Sequence, residues 1–176
     1  SVSGDYFLSQ QAVQQMVGVL LVSVLLLFFI LAAQFESLVQ PFIILSEIVL
    51  DIFVVLVILY LLRLAIDLMS MTGLIVMAGI VINDSILKVD TINRHRKSGM
   101  PLFESIVKAG RERLLPILMT SLTTIFSLVP FLSGGSIGAD LQFPLSLTIL
   151  VGMVVGTGVS IFFVPILYYV IYRKRK

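Results

Sequence analysis

Apolar positions along this chain are gathered into long blocks, and each block is bounded by a short polar stretch. Blocks of about 18 to 26 residues match the ~20 that a helix needs to cross a ~30 Å hydrocarbon core. They predict spans over 16–33, 42–62, 68–89, 116–132 and 145–172. A Gln-rich approach over 1–15 precedes the first span, and the connector QFESLVQP follows it. Pro41 suits the start of the second helix, where the N–H it lacks would have no partner. Between 101 and 114 the pattern changes: Phe103, Ile106, Val107, Gly110 and Leu114 share one helical face, while Glu104, Lys108, Arg111 and Glu112 lie largely elsewhere. That spacing predicts an amphipathic helix lying in the membrane interface. SGGSIGADLQF reads as a flexible link before the fifth span, and 173–176 as a basic tail. The expected fold class is all-α: a polytopic membrane helix bundle of five transmembrane helices plus one interfacial amphipathic helix.

Composition agrees with the pattern. Hydrophobic residues make up 59% of the 176 and charged residues 12%, whereas a soluble domain has about 45–50% apolar and about 25% charged residues. The chain has no cysteine and one histidine, so neither a disulfide framework nor a metal cluster is expected. His95 sits in a basic stretch expected to be a solvated loop, and is assigned no site. Ser1 and the opening SVSGDYFLSQQ lack the basic start and cleavage site of a signal peptide, so the chain reads as part of a longer protein.

Charge supplies the orientation. With five spans, the 93–115 connection and the C-terminal tail fall on one side, and ten of the twelve Lys and Arg residues lie there. By the positive-inside rule that side is cytoplasmic, and residues 1–15 face outward.

The candidate chemistry is the charge that the spans retain. An ionisable group inside a span costs roughly 2.5–3.5 kcal/mol on insertion scales, yet Glu47, Asp51, Asp84 and Lys88 are all there. Glu47 and Asp51 are four residues apart and share a helix face, as do Asp84 and Lys88, a spacing that allows an ion pair. Crowded acids of this kind are expected to hold a proton part of the time, as a proton carrier must. The alternatives are a static polar clamp between helices, or charges that reach the interface from the span ends. Thr120, Thr124 and Ser127 form a hydroxyl stripe that either binds water or a carboxyl, or bonds the carbonyls of its own helix. Gly152 and Gly156, in GxxxG spacing, are read as helix-packing residues.

Four strings in order, QFES before a Pro-led span, GLIVMAGIVINDSIL, AGRERLLPILMTSLTTI and FFVPILYYV, resemble the resistance-nodulation-division (RND) efflux transporters. The likeness is to the hydrophobe and multidrug branch, and specifically to the C-terminal half of its membrane domain. It implies a proton-driven antiporter, multi-pass in the bacterial inner membrane, that works as a homotrimer with periplasmic domains, a periplasmic adaptor and an outer-membrane channel. It also implies a secondary transporter and not an enzyme, driven by a proton gradient without a cofactor. Carried over residue by residue, the family's relay lysine falls on Asn83, its threonine on Thr120 and its arginine on Arg113. Asp84 stands where the branch more often has asparagine. The displaced cation is then expected at Lys88, one turn on, with Asp51 or Asp84 sharing the proton.

Other readings of the same residues are a non-drug RND relative, a lipid- or sterol-sensing membrane scaffold, and an intramembrane aspartyl protease using Asp51 and Asp84. The protease reading lacks the expected motifs, since Ile82 and Asn83 precede Asp84 where a GxGD arrangement would be needed.

Overall fold

A computed structural model describes residues 2–132 and 138–174. It contains five α-helices: α1 (Val2–Phe35), α2 (Val39–Leu61), α3 (Leu68–Lys97), α4 (Leu102–Leu132) and α5 (Ala139–Arg173). All five are long and apolar enough to cross a membrane, so the chain is an all-α membrane helix bundle. Neighbouring helices run antiparallel because the links are short. Only Glu36, Ser37 and Leu38 separate α1 from α2, and Glu36 turns the chain with φ +48°, a left-handed conformation that non-glycine residues rarely adopt.

Helix α5 is central. It packs against α3, α4 and α2, while α1 lies at the edge against α2 and α3. Small residues permit the close approach of α3 to α5. A Cβ built on Gly152 would lie 2.3 Å from Met77 Cγ, and one on Gly156 would lie 2.6 Å from Val81 Cγ2. A Cβ built on Gly73 would lie 2.9 Å from the Leu145 carbonyl oxygen. Gly152 and Gly156 therefore lie where α5 comes closest to Met77 and Val81 of α3. Leu31, Ile43, Ile44, Val89, Ile92, Val164 and Tyr168 fill one apolar cluster, and Val55, Leu59, Leu74, Met77 and Val81 another.

Several helices run past the expected span limits. The polar approach is the first part of α1, and α3 continues through Asn93, Arg94, His95 and Arg96 to Lys97. Basic residues in a helix's last turn interact favourably with its C-terminal dipole, which explains why the positive cluster extends α3 and does not end it. His95 is therefore on a helix and not in a loop, and its Nε2 lies 2.9 Å from Glu112 Oε2. The amphipathic segment expected as a separate interfacial helix is the beginning of α4, which passes through Pro116 unbroken. Proline removes one backbone hydrogen bond, and membrane helices tolerate this when side-chain hydroxyls and neighbours compensate. Of the expected flexible link, residues 133–137 lie outside the described residues and 139–143 form the start of α5.

Candidate functional site

The four charged residues predicted inside the spans are buried. Glu47 is 0% exposed, Asp51 1%, Lys88 2% and Asp84 8%. Their positions follow from helix periodicity. On α2, Glu47 and Asp51 lie one turn apart on the face turned toward α3 and α5, among buried Ile44, Ile48 and Val55. On α3, Asp84, Ser85 and Lys88 sit between the packed Val81 and Ile92. On α5, Ser160 continues the line of small residues Gly152 and Gly156 at intervals of four. The backbone approach that those glycines allow brings Ser160 to Lys88.

A hydrogen-bonded string joins the three helices. Lys88 Nζ donates to Ser160 Oγ at 2.7 Å and also to the Ser160 carbonyl. Ser160 Oγ lies 3.3 Å from Ser85 Oγ, and the Ser85 hydroxyl donates to Glu47 Oε2. Since the Ser85 hydrogen is used on Glu47, Ser160 is the donor to Ser85. Every hydrogen along the string then points from the ammonium toward the carboxyl. Two hydroxyls, each able to donate and accept, stand between opposite charges.

Beyond this string the carboxyl groups lack partners. Both Asp51 oxygens and Glu47 Oε1 are buried without any hydrogen bond, and Asp51 Oδ2 lies 3.5 Å from where a side chain on Gly156 would begin. A buried polar oxygen without a donor costs about 1–3 kcal/mol, more when charged. Such oxygens call for a proton, a water or a cation. Among the described residues no carboxylate lies within 4 Å of the Lys88 amine; the ion pairs formed are Arg94–Asp90 and His95–Glu112. The Asp84–Lys88 pair that the spacing allows is therefore not made, because Lys88 turns to α5 and away from its own helix.

Other candidates lie elsewhere. Asn83 and Thr120 are on exposed faces of this chain. Arg113 Nε donates to Thr91 Oγ1 at 2.8 Å, fastening α4 to α3 one turn from Lys88. In the hydroxyl stripe, Thr120 bonds the Pro116 carbonyl, Thr124 that of Thr120 and Ser127 that of Thr124, the self-bonded alternative. Ser121, outside that stripe, is the hydroxyl of α4 that reaches α5, pairing with Thr157.

One polar cluster is not foreshadowed by any charged position inside a span. Where α2, α3 and α5 meet near the basic end, Asn93 Nδ2 donates to Gln40 Oε1 at 2.7 Å and Asn93 Oδ1 accepts from Gln40 and from the Tyr168 hydroxyl. Tyr168 and Tyr172 stack with centroids 4.4 Å apart, and the Arg96 guanidinium lies 4.8 Å from the centre of the Tyr172 ring. Among the described residues no three His, Cys, Asp or Glu side chains group as a metal site.

Residues 2–172 match the AcrB/AcrD/AcrF family, so the match takes in every element of this site. The chain belongs to that family. Multidrug resistance protein MdtC of Erwinia amylovora is 29% identical over 100% of the chain, and the toluene efflux pump membrane transporter TtgE of Pseudomonas putida is 31% identical over 86%. Swarming motility protein SwrC of Bacillus subtilis is 30% identical over 89%. A crystal structure of a heavy metal efflux pump superposes on 93% of the chain with a TM-score of 0.78 and 27% identity, and the chain covers 16% of it. The chain spans 17%, 14% and 15% of MdtC, TtgE and SwrC. This AcrB/AcrD/AcrF segment is thus shared by proteins whose names range from multidrug resistance and toluene efflux to swarming motility, and the RND efflux family recognised from its motifs is the one it belongs to.

Proposed function

We propose that this chain is a segment, five of six helices, of one membrane half of a proton-driven RND efflux permease, and that its share of the work is proton translocation and coupling. The observation that carries this reading is the buried string Lys88–Ser160–Ser85–Glu47, with the partnerless Asp51 one turn beyond it. A hydroxyl passes a proton by accepting one and releasing its own, so the string connects an amine to a carboxyl without either moving. In this reading Lys88 replaces the cation that the family places at the Asn83 position, Asp51 and Glu47 hold the proton, and Asp84 completes the charge balance. Arg113 and Thr120 serve α4 in packing and in contact with the other half.

Its cargo is a drug or another amphiphilic compound, expelled from the cytoplasmic membrane of a bacterium with the C-terminus of the chain in the cytoplasm. Names as different as toluene efflux, multidrug resistance and heavy metal efflux among the relatives support a common energising segment with cargo chosen elsewhere. Partners are the second membrane half, the periplasmic domains, two further copies in a trimer, a periplasmic adaptor and an outer-membrane channel. No cofactor is needed, since the proton gradient supplies the driving force.

The test uses the full-length protein in proteoliposomes with an imposed pH gradient and a pH-sensitive dye inside. Lys88→Ala is expected to reduce proton-coupled export by at least about tenfold, a factor equal to about 1.4 kcal/mol of barrier. Export and proton flux unchanged in Lys88→Ala would overturn the reading.

A further inference from the structure

Where the last turns of α3 meet the α1–α2 turn lies a cavity of about 400 Å³. Apart from Phe35 its walls are polar, with Gln34 and Glu36 from the end of α1 and the turn, and Arg96 and Lys97 from α3. The amides of Gln40 and Asn93 are occupied with each other and with Tyr168 and Tyr172, and the Asp90 carboxylate is taken by Arg94 at 3.1 Å. Arg96 is held in place by rings: its Nη1 donates to the Tyr168 hydroxyl at 3.4 Å and its guanidinium lies 4.8 Å from the centre of the Tyr172 ring. A guanidinium has five N–H donors, and this contact uses one. Among the described residues neither Arg96 nor Lys97 meets a carboxylate within 4 Å. With Asp90 neutralised by Arg94, the two cations outweigh Glu36 and leave the cavity one positive charge.

A second cavity, of about 210 Å³, lies deeper between the same three helices, and its lining is apolar except for Ser23. Leu20, Val24 and Leu27 of α1 and Ile75, Gly79 and Ile82 of α3 contribute to it. Helix periodicity puts both cavities on one seam. On α1, Leu20, Val24, Leu27, Leu31 and Gln34 follow one another at intervals of three or four, and on α3 so do Ile75, Gly79, Ile82, Ile86, Asp90, Asn93 and Lys97. The intervening Leu31 and Ile86 are apolar. From Gln34 to Leu27 the axial distance is about 11 Å and from Asp90 to Ile82 about 12 Å, so the apolar cavity begins within the ~15 Å half-thickness of a hydrocarbon core. A free anion would use only the upper, polar cavity. An amphiphile standing in one leaflet uses both.

We propose that the α1–α3 seam holds an anionic phospholipid of the leaflet on the basic side of the bundle, its phosphodiester at Arg96 and Lys97 and an acyl chain in the apolar cavity. The phosphodiester oxygens accept charge-assisted hydrogen bonds from the unused Arg96 donors and from the Lys97 ammonium, as in other basic pockets between membrane helices. One phosphodiester matches the one positive charge. Hydroxyls of a glycerol headgroup donate to the Glu36 carboxylate, whose charge repels a second phosphate. The lipid fills the gap beside α1, the helix that packs least against the bundle, and so fastens it to α3. This site stands apart from the Lys88 string and does not depend on the transport reading.

The test uses the full-length protein in detergent, stripped of lipid and titrated with phosphatidylglycerol, with bound lipid counted by native mass spectrometry. Lys97→Glu, at an exposed position, is expected to weaken binding at least about tenfold by reversing a charge beside the phosphate. Gly79→Leu, where an added Cβ meets nothing within 4 Å, fills the apolar cavity and is expected to weaken binding at least about fivefold by displacing buried methylenes of the chain. Lys108→Glu makes the same charge change at an exposed position of α4 away from the seam and is expected to leave binding unchanged. Phosphatidylcholine is expected to bind more weakly, and inorganic phosphate in large excess is expected not to displace the lipid. Equal weakening by Lys97→Glu and Lys108→Glu, or none by Lys97→Glu, would overturn the proposal. So would phosphatidylcholine binding as tightly as phosphatidylglycerol. Displacement by inorganic phosphate with Gly79→Leu without effect would make the polar cavity a site for a soluble anion. Absence of any bound lipid would mean that another part of the full-length protein covers the seam, and would also overturn the assignment.

Discussion

Asp51 illustrates what a membrane interior asks of a single side chain. Two buried oxygens without a hydrogen bond are a local cost, and stability gives no reason to keep them. Replacement of an unsatisfied buried polar group by a group that needs less solvation is often neutral or stabilising. Asp51→Asn, equal in shape and without a titratable proton, is therefore expected to keep or raise the thermal midpoint of the purified full-length protein. Its proton-coupled export is expected to fall by at least about tenfold on the rate scale. A midpoint lowered together with export would instead identify Asp51 as a structural clamp. Glu47 differs because one of its oxygens is met by Ser85, so its replacement disturbs packing and chemistry together.

At the scale of helices, the stacking of α5 on α3 decides whether the string exists. Gly156 and Val81 are the tightest point near it, with 2.6 Å between the Val81 methyl and an added Cβ. Gly156→Ala is expected to cost about 1–3 kcal/mol by overpacking, read as a lower thermal midpoint, and to weaken export by moving Ser160 away from Lys88. Val81→Ala in the same protein is expected to recover part of both losses, since it removes the obstructing methyl. Failure of the pair to recover more than the sum of the single changes would mean that helix separation is not the cause. The sequence shows this relation only in part. Glu47, Asp51, Asp84 and Lys88 stand out because charge inside an apolar block is costly, and GxxxG spacing marks Gly152 and Gly156 as contact points. Ser85 and Ser160 do not stand out, because a serine in a membrane helix is common and usually bonds its own backbone. A signal was present in the interval Gly152, Gly156, Ser160, which keeps all three on one face, but its use depends on knowing that α3 lies opposite. The helices α1 and α3 run beyond the apolar blocks for a related reason: hydropathy marks where lipid begins and ends, whereas backbone hydrogen bonding carries a helix on through polar residues.

For the molecule as a whole, the distribution of exposed apolar surface describes how the bundle is surrounded. Helices α1 and α4 bury little of their apolar surface, with Leu21, Leu25, Phe29, Leu115, Met119, Leu122 and Phe126 all exposed. Apolar faces of that kind suit lipid or further apolar helices, and the chain spans only 17% of the MdtC relative. Orientation is the property of the whole assembly that is simplest to measure. Lys174→Cys in a cysteine-free full-length protein is expected to react with an impermeant maleimide only in inside-out vesicles. Reaction in right-side-out vesicles would overturn the orientation expected from the positive-inside rule.

The length of α1 has a mechanical consequence. Its 34 residues extend about 51 Å, some 20 Å more than a ~30 Å hydrocarbon core, as one uninterrupted rod held against α2 and α3 only along its edge. A rod hinged at the Glu36 turn converts rotation into displacement: a tilt of about 10° would swing its far tip by about 9 Å. A small change in how α1 packs against α2 and α3 would thus appear at its far tip as a displacement many times larger.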